Sequence, residues 1–141
     1  MDNYYLDTSA FLKRYIQEPG SEVIRDLLKR GGKFFTSKVA YVEVLMTFRR
    51  KQREGKLSDR DISRCIELFE RDWKGFNVIE LSNEVLQILK NFENHLRALD
   101  AIHLSSALWV KKFLKIVFVC SDHNLKKQAM SEGFQVWDPT D

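Results

Sequence analysis

Five short apolar runs, set between segments of helical period, constrain this chain more than any other feature. Residues 4–6, 33–36, 77–81, 115–120 and 134–137 read as strands, the fourth because it is β-branched and aromatic. Between them lie predicted helices with recognisable ends. Residues 9–17 set Phe11, Tyr15 and Ile16 to one side and stop at Pro19-Gly20. Ser21 is expected to cap a helix bearing Val23, Ile24, Leu27 and Leu28, closed by Gly31-Gly32. A third helix opens at Ser37 or Lys38 and runs to Arg53. Ser58 and Asp61 resemble a capping box with Asp in place of Glu, ahead of Ile62, Ile66, Phe69 and Trp73, and Gly75 ends that helix. Ser82 caps the next, with Val85, Leu89 and Phe92, followed by helices over 96–112 and 125–132 and a stop at Gly133. Strands that alternate with helices imply an α/β fold, a parallel sheet covered on both faces.

The 141 residues fit a single domain, 1–141, with no repeat, linker or low-complexity tract. No apolar run is long enough to cross a membrane, and an acidic residue close to the N-terminus argues against a signal peptide. Cys65 and Cys120 form no CxxC and have no paired His, which excludes a disulfide framework and zinc spacing and suits a reducing cytoplasm. Both read as small core hydrophobes. A net charge of +3 permits an anionic partner without demanding one.

Against this background four acids stand out: Asp7, Glu43, Asp100 and Asp122. Asp7 ends YYLD, Glu43 interrupts KVAYVEVLM, Asp100 interrupts LRALDAIHLSSAL, and Asp122 follows IVFVCS. A carboxylate in apolar surroundings must be paired, protonated or bound to a metal. With no basic partner evident in the same segments, a shared cation site is expected, and hard oxygen ligands favour Mg²⁺ or Mn²⁺ over zinc. Asp7 and Asp122 follow strands, so they reach one rim if those strands are neighbours, and ligands of parallel sheets gather there. Val39, Val42, Glu43 and Met46 fall on one helical face, read as the buried stripe. Leu96, Asp100, His103, Leu104 and Ala107 share another, with Asp100 near the positive end of the helix dipole.

Each acid also has a structural reading. Asp7 and Asp122 can cap the helices that follow them, and Glu43 can pair with a distant Arg. Asp100 is hardest to explain this way, because its face is otherwise apolar. His103 reads as a hydrogen-bonded core residue before a ligand or base. Trp73, Trp109 and Trp137 read as core or interface residues, and the Ile62–Trp73 stripe as core before interface.

These segments resemble those of PIN-domain ribonucleases of the VapC toxin type. YLDTSAFLKRYIQEPGSE is similar to that group's opening. LRALDAIHLSSAL is similar to its most diagnostic segment, L-R-x-x-D-A, then Ile or Leu, then His. TSKVAYVEVL supplies a Glu on the helix after the second strand, and VCSDHNLKKQAMSEGFQVWDP resembles the closing strand, acid, helix and strand. The resemblance covers essentially the whole chain. It implies a three-layer α/β/α PIN-like fold and a toxin of a VapBC-type toxin–antitoxin pair that hydrolyses RNA phosphodiesters. It assigns the acidic quartet to Asp7, Glu43, Asp100 and Asp122, with Asp7 and Asp100 as the most consistent metal positions. Ser9 matches a hydroxyl that supports the first Asp, and Ser121 and Asn124 match polar groups around the site. Ser105 stands where many members have Ala. The implied partners are RNA, an antitoxin whose C-terminal segment blocks the groove, and a second copy of the chain.

One or two divalent ions held by the quartet would make hydroxide available near neutral pH and offset charge on the phosphate, with Glu43 also able to take the proton of the attacking water. No Ser-His-Asp or Cys-His set suggests a covalent route. Positive charge for the RNA backbone is offered by Lys13 and Arg14 on the first helix and by Arg49, Arg50, Lys51 and Arg53 at the end of the helix bearing Glu43. The plainer reading of the second group is a solvated helix end with cations at its C-terminus. Three alternatives remain: an RNA-processing nuclease without an antitoxin, a non-catalytic interaction module, and another Mg²⁺-dependent α/β protein. A receiver domain fits poorly, because YLDTS carries one Asp and no lysine follows Cys120 at the expected place.

Overall fold

A computed structural model describes residues 2–93 and 95–141. Its strands are β1 (Asn3–Leu6), β2 (Lys33–Ser37), β3 (Asn77–Ile79), β4 (Val117–Val119) and β5 (Gln135–Trp137). Its helices are α1 (Thr8–Leu12), α2 (Ser21–Arg30), α3 (Val39–Arg53), α4 (Asp59–Gly75), α5 (Asn83–Lys90), α6 (Ala98–Lys111) and α7 (His123–Ser131). The strands form one parallel sheet in the order β3-β2-β1-β4-β5. The oldest strand in sequence is therefore central, with β2 on one side and β4 on the other.

Alternation along β1 sends neighbouring side chains into different layers. Tyr5 joins Phe118, Leu104, Ala107, Val85 and Leu125 beneath α5, α6 and α7. Leu6 joins Ala10, Ile24, Leu27 and Val119 beneath α1 and α2. With helices on both faces, the architecture is the expected three-layer α/β/α. A third cluster of Phe11, Val44, Phe48, Ile62 and Phe69 binds α1, α3 and α4 together. The Ile62–Trp73 stripe belongs to this cluster, in line with its reading as core.

The capping box at Ser58 forms as read, with Asp61 in the acceptor role, and Ser82 caps α5. Three local expectations change. The first helix is only five residues, because Asp7 caps it early and the chain after Leu12 tightens into turns, Arg14 N–H to Phe11 C=O at 3.1 Å among them. Those turns aim Arg14 and Tyr15 at Asp72, at 3.1 and 2.7 Å. Ser21 does not cap α2. The cap is Gly20 at φ 91°, where a Cβ would also meet the Pro139 carbonyl oxygen at 3.0 Å. Ser21 instead accepts from Glu18 N–H and donates to Ile16 C=O, closing the preceding turn. On α3 the buried stripe is Ala40, Val44 and Phe48, whereas Val42 and Met46 are 60% and 57% exposed. The cause is the shared packing of α3 against α1 and α4, which rotates Glu43 to the flank of the helix.

Candidate active site

Parallel pairing of β1 with β4 puts their carboxyl ends side by side, with Leu6 opposite Val119 and Asp7 N–H on the Val119 carbonyl at 3.3 Å. Asp7 and Asp122 thus reach one rim. Asp7 is 3% exposed. Its Oδ1 accepts from Ala10 N–H at 2.9 Å, so it caps α1, and Ser9 Oγ spans both oxygens at 2.8 and 2.9 Å. Burial pushes its carboxyl above the usual range, and charge on His103 with hydrogen bonds from Ala10, Ser9 and Cys120 only partly offsets this. Asp122 is exposed and caps α7 through Leu125 N–H at 2.9 Å. The capping readings of both acids are correct, and capping holds them at the rim.

Asp100 lies in the first turn of α6. Its carboxyl is raised, first by burial and then by the negative charges of Asp122 and Asp7, with His103 and Arg97 working against the shift. Three carboxylates therefore bear on one another electrostatically where two strands and one helix meet.

Glu43 reaches the same region from α3 through a polar chain. Its Oε1 accepts from Thr8 Oγ1 at 2.6 Å and contacts His103 Nε2 at 2.8 Å. Burial opposes ionisation of Glu43, but His103 and Thr8 outweigh it and hold the carboxyl below its ordinary value. His103 is buried, with Nδ1 2.7 Å from the Tyr5 hydroxyl. It is the hydrogen-bonded core residue that its helical face suggested, and its partner is one of the four acids. Of the quartet Asp7 is buried, Glu43 and Asp100 are half-buried and Asp122 is exposed, so the cost of an apolar setting falls fully on one carboxylate and partly on two.

Cys120 is more than filler. Its buried thiol donates to Asp7 Oδ2 at 3.2 Å, while its Sγ lies 3.5 Å from the Asp122 carbonyl oxygen. Burial, then Asp7, push the thiol well up, so it stays protonated and can donate. Cys120, Thr8 and Tyr5 carried no sequence signal, because each looks like an ordinary strand or turn residue. Ser121 Oγ stands 3.4 Å from Ser9 Oγ, and Asn124 is exposed on α7.

The donor set suits a hard divalent cation: carboxylate oxygens that repel one another. Among the described residues, however, no three His, Cys, Asp or Glu side chains stand close enough to cage an ion. The basic residues divide. Lys13 is buried and paired with Glu18 at 3.1 Å, and Arg14 is paired with Asp72, so both charges are engaged within the chain. Arg49, Arg50 and Arg53 are exposed at the end of α3. The Arg49 guanidinium bonds Gln52 at 3.2 Å.

Known proteins resemble this chain in sequence and in fold. Residues 4–129 match the PIN domain. Ribonuclease VapC47 of Mycobacterium tuberculosis is 30% identical over 140 residues, covering 96% of both chains. Ribonuclease VapC45 of the same organism is 30% identical over 138 residues, covering 94% of this chain and 92% of its own. Among solved structures, FitAcB from Neisseria gonorrhoeae superposes with a TM-score of 0.71 at 15% identity, covering 96% of this chain and 97% of its own. VapBC2 from Rickettsia felis, bound to a promoter DNA fragment, gives 0.68 at 10% identity over 96% and 98%. The structures share the fold, and the family match with its near-full-length relatives goes further: this chain belongs to the PIN-domain family, alongside proteins named VapC.

Proposed function

We propose that this chain is a divalent-metal-dependent endoribonuclease and the toxin of a VapBC-type pair, working in the cytoplasm. The observation that carries the reading is the side-by-side ends of β1 and β4, which bring Asp7 and Asp122 to one rim where both oppose ionisation of Asp100. Relatives named Ribonuclease VapC, and structural neighbours that are toxin–antitoxin complexes, support it. Mg²⁺ or Mn²⁺ suits the oxygen donors, with Asp7 and Asp100 as direct ligands and Glu43 and Asp122 completing the site.

A bound cation would supply Lewis acidity and neutralise phosphate charge. The chain's own residues do the rest. Ser9, Ala10 and Cys120 hold Asp7 in one orientation. The first turn of α6 fixes Asp100, and Leu125 N–H orients Asp122. Glu43, kept ionised, accepts the proton of the attacking water. Arg49, Arg50 and Arg53 bind phosphates flanking the cut. Asp100 and Asp122 have the exposure to swing inward, which closing on an ion requires. Antitoxin binding and a homodimer complete the proposal, and the exposed Val42 and Met46 beside Glu43 supply apolar surface for a protein partner.

The test uses purified protein free of any partner, incubated with tRNAs and rRNA fragments in Mg²⁺, Mn²⁺ or EDTA, with Asp100→Asn in parallel. Metal-dependent cuts at defined sites that vanish in the variant support the nuclease. Equal cutting by both proteins identifies a contaminant. No cutting and no calorimetric metal binding overturn the proposal in favour of an interaction module.

A further inference from the structure

We propose that Tyr5 and His103 are positioning residues for Glu43, setting which of its oxygens is free to serve the acidic site. The inference rests on the nuclease reading, but its structural half is tested without it. Tyr5 lies on β1, His103 on α6 one turn beyond Asp100, and Glu43 on α3. The three side chains form a line across these elements. The Tyr5 hydroxyl is 2.7 Å from His103 Nδ1, and His103 Nε2 is 2.8 Å from Glu43 Oε1.

Donor and acceptor chemistry fixes the hydrogen that faces Glu43. An ionised carboxylate only accepts, so both groups that meet Oε1 must donate to it. Thr8 spends its hydroxyl proton there at 2.6 Å. Nε2 must therefore carry hydrogen, and its contact with Thr8 Oγ1 at 3.0 Å is then a donation shared with that oxygen. Nδ1 meets the Tyr5 hydroxyl, which is 0% exposed and holds that side of the ring whichever of the two donates.

The consequence is an asymmetric Glu43. Both donors fall on Oε1, and no described residue donates to Oε2. One oxygen is anchored, and the other is left for a water proton or a cation. Tyr5 is itself immobile, stacked on Phe118 at 5.3 Å and 7° and edge-on to His103.

The test begins with ¹⁵N-histidine NMR of the metal-free protein at neutral pH, assigning His103 by its loss in His103→Gln. A protonated Nε2 is expected. A ring protonated on Nδ1 alone overturns the assignment. Tyr5→Phe removes one oxygen and keeps the stacked ring, and it should shift the His103 ring-nitrogen signals; an unchanged spectrum overturns the role of Tyr5. Mn²⁺ titration by electron paramagnetic resonance and single-turnover cleavage then read the function. Outer partners of metal-binding carboxylates are typically worth about 10–100-fold in affinity or rate. His103→Leu should lose an amount in that range, and His103→Gln, which can place an amide N–H near the Nε2 position, should recover most of it. If His103→Leu melts too early to assay, Tyr5→Phe carries the comparison. Should the wild-type protein bind Mn²⁺ and cut RNA while the folded variants match it, the positioning role fails and the nuclease stands. Should wild type cut no RNA, the proposed function fails while the tautomer measurement still decides the hydrogen-bond line.

Discussion

At the scale of single residues, the acids at the rim do structural and chemical work with the same atoms. Asp7 caps α1 and is the buried member of the site, so Asp7→Asn keeps a capping oxygen but loses the charge. Asp100 makes the cleaner test. It sits among like charges, so Asp100→Asn should abolish metal-dependent cleavage while thermal melting in EDTA stays the same or rises. A fall in melting temperature would show that Asp100 holds the fold together instead. Ser9→Ala removes the hydroxyl that spans both Asp7 oxygens at 2.8 and 2.9 Å. It should cost about 10–100-fold in Mn²⁺ affinity, read by titration, with little change in melting. The quartet was legible in sequence because each acid breaks an apolar pattern. Tyr5, Thr8 and Cys120 were not, because their role is a contact with residues 35 or more positions away, and nothing local marks it.

At the scale of elements, α4 shows how local signals and packing divide the labour. Ser58 and Asp61 complete a capping box on an exposed turn. Ser58→Ala should cost about 1 kcal/mol in a urea melt and leave cleavage untouched. Phe69, on the same helix, is fully buried among the rings of Phe11, Tyr15, Tyr41, Phe48 and Trp73. Phe69→Ala should cost roughly 3–5 kcal/mol and loosen α3, the helix that carries Glu43, so stability and cleavage should fall together. A loss near that of Ser58→Ala would mean the third cluster is dispensable. Strand and helix order followed from periodicity and glycine stops. The face of α3 did not. Val42 and Met46 match the apolar period as well as Val44 and Phe48 do, and only the position of α1 and α4 decides which pair is covered.

At the scale of the whole molecule, two pH and metal effects are expected. Burial would raise the Asp138 carboxyl, but Lys126 at 2.7 Å and two bonds from Thr140 outweigh it and hold it below its ordinary value. A carboxyl depressed by folding contributes stability above its unfolded pKa of about 3.9 and loses it as pH falls through the lower folded value. Asp138→Asn should therefore lower melting temperature at neutral pH and flatten the acid limb of the melting–pH curve; parallel curves for variant and wild type would remove Asp138 from that limb. Mn²⁺ should raise the melting temperature of wild type, by an amount equivalent to about 2.7 kcal/mol at a hundred times its dissociation constant, and should not do so in Asp100→Asn. The sequence by itself determined the α/β class, the order of elements, the helix ends that caps and glycines mark, and the four acids. Each is written in local chemistry: a period, a cap, a charge in an apolar run. Only the tertiary structure decided that β1 lies beside β4, so that Asp7 and Asp122 share a rim. It also decided that Lys13 and Arg14 are engaged by Glu18 and Asp72, and that His103 reaches Glu43. Those outcomes depend on which layers pack together, and packing is set by the summed burial of many side chains that no single segment contains.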